Sequence, residues 1–348
     1  MKLHKLLFLK TVKFLYAWFV LTGCYIVYCP EEEDTQKTQP KFSKDLYKVF
    51  YGGGQYVAVE TGLVMHSEDG ITWTEAKYHP YIAYGEYVVA RTSIFDAVYG
   101  NGTWLLHGMF VENRCFGLAY STDDCKTWHA VDELRTSGLT TKIAYGAGKF
   151  IFVSPMEAGY SEDGVSWNII QDSPFYSIEN TGLIDIVYSD EKFIAIKGNS
   201  IASSEDGIAW TLIETDSMVN NFLYALSYGG GVWVADGKAT VYSTDGGATW
   251  TQSPNLYGGS SIDYGNGRFI VIKGTQDYAS IAYSTDGITW EKNAELYPYL
   301  WTKNPFAEIN SIAFGGGKFL AVGNSGLIIQ SVDGIHWEII DVVLLDEQ

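Results

Sequence analysis

The chain has 348 residues, of which 47% are hydrophobic and 15% aromatic, so it is long and apolar enough to build a full core. Its 37 glycines and only 8 prolines suit many short strands joined by tight turns, and they argue against a helical bundle. Acidic residues outnumber basic ones by 41 to 23, which gives a formal net charge of −18. Phosphate contacts need clustered Lys and Arg, so no nucleic-acid partner is expected.

The N-terminal segment is typical of an export signal. Four lysines and no acidic residue occupy the first thirteen positions, and an uncharged apolar segment, Phe14–Tyr28, follows. That segment is short for a membrane span, and a basic start before a short apolar stretch predicts a secretory signal peptide at residues 1–23. Residues 30–45 are polar and charged, so we expect residues 24–45 to form a solvated tether outside the core.

The apolar segment contains LTGC at Leu21–Cys24, which resembles the bacterial lipobox. In proteins with that motif the cysteine is lipidated and becomes the new N-terminus. The resemblance implies a lipid on Cys24 and a membrane-anchored lipoprotein of the bacterial cell envelope. The alternative is an ordinary signal peptide that happens to contain a cysteine.

A repeated motif marks the chain from residue 46 to its end. A short segment that starts with serine and ends with tryptophan, here called the serine–tryptophan motif, occurs seven times. Its copies are Ser67–Trp73, Ser121–Trp128, Ser161–Trp167, Ser204–Trp210, Ser243–Trp250, Ser284–Trp290 and Ser331–Trp337. Each copy follows a second element of an aromatic residue, small residues and an apolar run, such as Tyr145–Val153. Units of about 43 residues have the size of a four-stranded propeller blade.

Each repeat predicts four antiparallel strands, A to D. Strand A ends at the aromatic residue, a glycine-rich turn leads to the apolar strand B, strand C runs into the serine, and strand D begins at the tryptophan. The Asp-Gly pair in most motifs is a strong hairpin signal. We therefore predict an all-β chain with a single seven-bladed β-propeller of four-stranded antiparallel blades at residues 46–348.

The order of the repeats also predicts how the ring closes. Every blade is expected to contain consecutive strands, starting with strand A of the first blade at Leu46. The apolar end of the chain, Trp337–Leu345, is then the outer strand of the seventh blade. Closure would need only packing of the seventh blade against the first, without exchange of strands between them.

The serine–tryptophan motifs resemble the Asp-box, or BNR, repeat S-x-D-x-G-x-T-W of sialidase-like β-propellers. Ser243–Trp250 fits it in full, five others are one residue shorter, and Ser121–Trp128 departs because Cys125 replaces the glycine. The resemblance implies that the aspartates form turns away from the active face, so the motif leaves the function open. These aspartates are Asp69, Asp123, Asp163, Asp206, Asp245, Asp286 and Asp333.

Enzyme signatures of that family are missing from the chain. Its sialidases hold a substrate carboxylate with three arginines, one of them in an R-I-P motif, which this chain lacks. Of the four arginines, Arg268 stands where other repeats have lysine, which indicates a repeat position. The glycanase relatives use two aspartates in a cleft between two propellers, and one propeller offers no second wall. No histidines stand at metal-ligand spacing, so no catalytic residue, metal or cofactor is predicted.

The connections between strands differ among repeats and are expected to carry the function. The D–A and B–C connections share one face of the predicted propeller, and several are rich in aromatic residues. Such side chains recognise proteins or stack on sugar rings, or alternatively they fill gaps between blades. The candidate binding residues are Tyr78, Tyr81, Tyr84, Phe110, Arg114, Phe175, Tyr176, Tyr299 and Trp301.

Four charged residues stand three positions before the repeat aromatic in strand A of the first four repeats. They alternate in sign, and we call them the charged arc: Lys48, Asp96, Lys142 and Asp185. The later repeats have Ala225, Ser261 and Ser311 at this position. Because strand A is expected to be innermost, the arc lies near the central channel. Its members either neutralise one another or form a site for a polar ligand.

These features favour an exported, lipid-anchored, non-catalytic protein that binds a protein or a glycan through the D–A and B–C face. One alternative is a glycan-active enzyme, a glycoside hydrolase of the Asp-box superfamily. Another is an envelope assembly factor, because the resembling family includes a photosystem assembly factor.

Overall fold

The structure is a computed structural model that describes residues 45–60, 63–78, 93–110, 115–136, 141–154, 157–170, 184–213, 222–255, 258–273, 280–294, 296, 300, 308–341 and 343–345. These residues form seven mainly antiparallel sheets. The first strands of neighbouring sheets contact one another all the way round, and the last sheet contacts the first. The predicted all-β, seven-bladed propeller is confirmed, while the predicted signal segment and nearly all of the tether lie outside the described residues.

Each blade contains four strands that follow one another along the chain. For blades 1 to 4 they are β1 (Lys48–Gly52), β2 (Gln55–Glu60), β3 (Leu63–Ser67), β4 (Thr72–Glu75); β6 (Ser93–Gly100), β7 (Thr103–Phe110), β8 (Cys115–Ser121), β9 (Thr127–Thr136); β10 (Lys142–Gly146), β11 (Lys149–Val153), β12 (Ala158–Ser161), β13 (Asn168–Ile170); β14 (Ile184–Ser189), β15 (Lys192–Lys197), β16 (Ser200–Ser204) and β17 (Thr211–Ile213). For blades 5 to 7 they are β18 (Leu223–Gly229), β19 (Val232–Gly237), β20 (Val241–Ser243), β21 (Thr251–Gln252); β22 (Ser261–Gly265), β23 (Arg268–Lys273), β24 (Ser280–Ser284), β25 (Glu291–Lys292); β26 (Ile309–Gly315), β27 (Lys318–Gly323), β28 (Ile328–Ser331) and β29 (Glu338–Ile339). The remaining elements are β5 (Lys77–Tyr78), β30 (Val343–Leu345) and a 3-10 helix at Asn324–Gly326.

The core lies between the blades. The second strand of each blade reads as a continuous apolar run because neighbouring blades cover both of its faces. Ile151 and Val153 of blade 3, for example, share one buried cluster with Ile186 and Phe193 of blade 4. Each blade therefore depends on its neighbours for much of its buried surface.

The aromatic–glycine pair of the repeat is a contact between blades. Tyr188 of blade 4 lies against Gly146 of blade 3, where an added Cβ would come within 1.9 Å of the Tyr188 ring. Tyr51 of blade 1 lies on Gly315 of blade 7 in the same way and joins the two ends of the ring. Within its own blade, the Tyr188 ring packs on Phe193, with centroids 4.6 Å apart. Glycine is required there because the neighbouring ring occupies the space of a side chain.

The end of the chain closes the ring by strand exchange, contrary to the prediction. The outer strand of blade 7 ends at Ile339, and β30 pairs in parallel with β4 of blade 1. The Val343 amide donates to the carbonyl oxygen of Ile71 at 3.0 Å. Leu344 packs against the cluster that contains Trp73. The predicted single outer strand Trp337–Leu345 is wrong because the open edge and apolar surface of blade 1 attract the end of the chain. We call β30 on β4 the C-terminal latch.

Blade 2 is extended in the same manner. β5 leaves blade 1 and pairs in parallel with β9, with Lys77 opposite Thr127 and Tyr78 opposite Trp128. Among the described residues, blades 1 and 2 therefore have five strands, and the other five blades have four.

Candidate functional site

The serine and aspartate of the serine–tryptophan motif form the same hydrogen-bonded corner in all seven blades. In blade 3 the Gly164 amide donates to Ser161 Oγ at 2.8 Å, and the Val165 amide donates to Asp163 Oδ1 at 2.8 Å. The Trp167 indole donates to the Gly164 carbonyl at 3.1 Å. Backbone amides reach the motif carboxylate in every copy, namely at Asp69, Asp123, Asp163, Asp206, Asp245, Asp286 and Asp333.

These hydrogen bonds keep the motif carboxylates ionised. The Ser166 amide, followed by the Val165 amide, holds the pKa of Asp163 below its ordinary value. In blade 5 the Thr249 hydroxyl and amide lower the pKa of Asp245 to about 2. A general acid must hold a proton near neutral pH, so these aspartates act as turn formers.

Basic residues at the start of the second strand bind the corner of the next blade. Arg268 Nη1 donates to the Asp333 carbonyl oxygen at 2.7 Å. Lys192 and Lys318 make equivalent bonds to carbonyl oxygens in the motifs of blades 5 and 1, at 3.1 and 2.6 Å. Arg268 therefore joins neighbouring blades.

The charged arc lies at the starts of the inner strands of blades 1 to 4. Lys142 Nζ is 3.7 Å from Asp96 Oδ1, and both side chains are mostly buried, at 17% and 12% exposure. The second carboxylate oxygen of Asp96 accepts the Ile143 amide of blade 3 at 2.8 Å. Asp185 Oδ2 accepts an amide of blade 5, that of Leu226, also at 2.8 Å. The two carboxylates thus tie adjacent inner strands together.

The four charges of the arc act on one another. Burial lowers the pKa of Lys48, and repulsion by Lys142 lowers it further. Burial also opposes charge on Lys142, but the attraction of Asp96 and Asp185 outweighs it and raises the pKa of Lys142. Burial raises the pKa of Asp185. The arc is therefore a coupled group of buried charges whose signs compensate one another.

Two buried titratable groups near the inner strands were missed in the sequence. Burial raises the pKa of Asp263 in blade 6 to about 6, and Asp263 Oδ2 accepts the Phe314 amide at 2.6 Å. Burial lowers the pKa of His107 in β7 to about 3. The signal for Asp263 was present, because no other repeat has a charged residue immediately before its aromatic.

Most of the predicted binding residues lie outside the described residues: Tyr81, Tyr84, Arg114, Phe175, Tyr176, Tyr299 and Trp301. Phe110 is predicted in the connection between β7 and β8, and it is the last residue of β7, next to that connection. Tyr78 is predicted in the connection between blades 1 and 2, and within that connection it lies in β5 at the outer edge of blade 2.

Among the described residues, no group of three or more His, Cys, Asp or Glu side chains is arranged to hold a metal ion. No described helix is long and apolar enough to cross a membrane. Cys125 is a buried free thiol whose backbone takes the place of the motif glycine, with its amide donating to Ser121 Oγ at 3.1 Å.

The chain is similar to known proteins in its structure but not detectably in its sequence. No protein-family profile and no curated protein sequence matches the chain. YCF48 bound to a D1 peptide is similar with a TM-score of 0.53 and 17% identity over 72% of this chain and 81% of that chain. The GH74 xyloglucanase from Xanthomonas campestris has a TM-score of 0.66 and 12% identity over 87% of this chain and 55% of that chain. The extracellular domain of the putative one-component system BT4673 from B. thetaiotaomicron has a TM-score of 0.59 and 11% identity, covering 85% and 40%.

These likenesses establish the fold. The chain is a seven-bladed β-propeller, and the similar structures include a glycoside hydrolase as well as a propeller with a bound peptide. At identities of 17% and below, they do not determine the function.

Proposed function

We propose that the chain is an exported binding protein of the bacterial cell envelope, an Asp-box β-propeller anchored to the membrane through a lipid on Cys24. It acts without catalysis and without a metal or cofactor. Its ligand is a protein or a glycan, which binds to the propeller face formed by the D–A and B–C connections.

The position of the charged arc carries this proposal. Its members stand at the starts of the inner strands, which directly follow the D–A connections. Those connections contain the aromatic residues Tyr81, Phe175 and Trp301. Charges at these positions, together with the aromatic residues in the sequence of the connections, would offer both the polar and the apolar contacts that recognition of a protein or a polysaccharide needs.

The use of carboxylates in folding supports binding over hydrolysis. The motif aspartates accept backbone amides, and Asp96 and Asp185 each accept an amide of the following blade. A two-carboxylate glycosidase needs a protonated acid and a second carboxylate that both face the substrate. Carboxylates that already hold adjacent strands together are poorly suited to that task.

Peptide binding has a precedent in this fold, since YCF48 is known with a bound D1 peptide. We therefore design the test around a macromolecular ligand. The tagged full chain is used to capture envelope proteins and to probe an array of glycans. We expect a saturable ligand whose affinity falls at least about tenfold with Tyr299→Ala/Trp301→Ala.

The matched control is Lys126→Ala, an exposed residue in a C–D corner on the opposite face. Binding should be unchanged in that variant. A ligand that is lost equally in both variants, or in neither, would place recognition elsewhere on the molecule.

The glycoside hydrolase alternative is tested with a panel of glycoside substrates. Turnover by the wild-type chain that Asp185→Asn abolishes would replace the binding proposal with a catalytic one. An assembly-factor role would instead appear as an envelope complex that fails to form when the chain is deleted.

The anchor has its own test. If Cys24 carries the lipid, Cys24→Ser releases the protein from the membrane fraction, because acyl chains supply the membrane affinity. Equal retention of the serine variant in the membrane fraction would show that the resemblance to the lipobox is accidental.

A further inference from the structure

The inner strands of neighbouring blades are joined by a repeated contact between a side chain and a backbone amide. Asp96 Oδ2 of blade 2 accepts the amide of Ile143, one residue after the equivalent position of blade 3, at 2.8 Å. The same contact joins three other pairs of blades, namely Asp185 with the Leu226 amide, Ser261 with the Ile312 amide and Ser311 with the Val49 amide. We call this contact the inner clasp. It needs a side-chain acceptor three positions before the repeat aromatic.

Between blades 1 and 2, both sides of the inner clasp are donors. Lys48 holds the acceptor position in blade 1, and an ammonium group can only donate. The amide that belongs to this junction is that of Ala97, in the same register as the Ile143 amide of blade 3. Because amides alternate along an antiparallel strand, the Ala97 amide points away from β7, and no hydrogen bond among the described residues uses it. The junction therefore offers two donors and no side-chain acceptor.

The two other junctions without an acceptor side chain are different. In blade 3 the position is held by Lys142, but its Nζ is 3.7 Å from Asp96 Oδ1. The Ile186 amide that it faces in blade 4 donates instead to Asp185 Oδ1 of its own strand, at 3.1 Å. In blade 5 the position is held by Ala225, which has no charge. In the described part of the chain, an ammonium group and an unused amide thus meet at the junction of blades 1 and 2 alone.

Lys48 is also the uncompensated charge of the arc. Both carboxylate oxygens of Asp96 are directed to blade 3, one to Lys142 and the other to the Ile143 amide. Burial and the repulsion of Lys142 lower the pKa of Lys48, whereas the attraction of the two carboxylates raises the pKa of Lys142. Two lysines at the same position of strand A thus differ in their neutralisation. An anion beside Lys48 would supply the missing negative charge.

We propose that the inner junction of blades 1 and 2 is a binding site for a small carboxylate, with one oxygen bonded to Lys48 Nζ and the other to the Ala97 amide. A carboxylate has one negative charge and two acceptor oxygens, which match one ammonium group and one amide. A phosphate dianion would bring a second negative charge towards Asp96. Lys48 is half-buried, so the residue is accessible to a small solute.

This site goes beyond the proposed loop-face function. Neither Lys48 nor Ala97 belongs to a D–A or B–C connection, and binding of a carboxylate needs none of the loop aromatics. A carboxylate can therefore bind when no macromolecular ligand is found, and a macromolecular ligand can bind when the carboxylate does not.

The test is an NMR titration of the isotope-labelled full chain with sodium acetate, which replaces sodium chloride at constant pH and ionic strength. We expect a saturable shift of the Ala97 amide. The Ile262 amide is the internal control, because it holds the same position in blade 6 but faces Ala225 and has no lysine beside it. Its signal should not move. Equal shifts of the two amides, or no saturable shift, would overturn the proposal.

Two substitutions of Lys48 act on the site in different ways. Lys48→Met removes the ammonium group and should weaken acetate binding at least about tenfold. Lys48→Ser introduces the acceptor that blades 6 and 7 use, so the Ala97 amide should be bonded before acetate is added, and the site should be closed. The matched control is Lys273→Met, which removes another half-buried lysine whose pKa is lowered by burial. It should bind acetate like the wild type.

Melting curves confirm that the variants are folded, and the pKa of Lys48 gives an independent measurement. Bound acetate stabilises the ammonium form, so saturation should raise the pKa of Lys48, followed through the chemical shift of its side-chain carbon. An unchanged pKa, or equal acetate affinity in Lys48→Met and the wild type, would overturn the proposal. Equal binding of acetate and inorganic phosphate would show general attraction of anions and reject a carboxylate site.

Discussion

Blades 1 and 3 share the same corner but differ at their outer edges. Ser67 and Asp69 in blade 1 accept the same backbone amides as Ser161 and Asp163 in blade 3. Blade 1 carries the C-terminal latch, and its tryptophan is fully buried, whereas blade 3 ends at an exposed edge. The motif therefore determines the turn in both blades, while the complete burial of Trp73 goes with the strand β30 added to blade 1.

The largest expected difference in stability between blades 1 and 3 is at their motif tryptophans. Trp73→Ala should lower the free energy of unfolding by about 3–5 kcal/mol, because a fully buried indole leaves a cavity under the latch. Trp167→Ala should cost about half as much, since water already reaches that side chain. Urea unfolding measures both. Equal losses would mean that the latch adds nothing to the burial of blade 1.

Removal of the latch is the next test. A chain that ends at Asp341 loses β30, so the edge of β4 opens and Leu344 leaves its cluster. We expect a loss of about 2–4 kcal/mol, or aggregation through the open edge. The control ends at Leu345 and keeps the latch. Identical thermal midpoints for the two truncations would show that β30 is dispensable for ring closure.

Loss of the motif aspartate should lower stability by the same amount in blades 1 and 3. Asp69→Ala and Asp163→Ala each remove turn hydrogen bonds and should cost about 1–2 kcal/mol. A clear inequality between them would show that the edge contacts also stabilise the corner.

The aspartates of these corners also make the stability of the protein depend on pH. The folded pKa of Asp163 lies below the ordinary value of 3.8, so its stabilisation is present above that value. The stabilisation is lost as the pH falls through the lower folded value. Urea midpoints between pH 5 and pH 2 should therefore decline less steeply in Asp163→Asn than in the wild type. Parallel declines would contradict a carboxylate role in the turn.

The smallest expected effects separate the two edges most cleanly. Leu344→Ala should cost about 1–2 kcal/mol, because that side chain packs on the cluster beneath the latch. Ile169→Ala should change stability by less than about 0.5 kcal/mol, since its side chain is 43% exposed. A large cost at Ile169 would mean that something covers the edge of blade 3.

The repeated features could be predicted from the sequence because seven copies report the same local physics. The corner needs Ser, Asp and Gly at fixed spacing, and that spacing was visible in every copy. The repeat register also puts Lys142 and Asp96 at the same position of strand A in adjacent blades, where their charged groups lie 3.7 Å apart. Periodicity converts a weak local signal into a reliable one, because each copy tests the others.

Features that occur once could not be predicted in this way. The apolar end of the chain fits an outer strand of blade 7 and the edge of blade 1 equally well by local preference. Its destination is decided by long-range contacts of Leu344 with the Trp73 cluster. Asp263 departs from the repeat at a single position, so its charge stands out in the sequence, but its hydrogen bond with the Phe314 amide of the next blade does not. The loop aromatics such as Tyr81 and Trp301 belong to non-repeated segments, and their role stays a prediction.

Amide exchange at the two edges of the free, full chain tests the central contrast most directly. The register of the latch sets the Trp73 and Glu75 amides against the backbone of β30. The equivalent amides of blade 3, those of Trp167 and Ile169, face outward without a strand beside them among the described residues. We predict exchange at least about tenfold slower at residues 73 and 75 than at residues 167 and 169. Equal rates at the two edges would contradict the account.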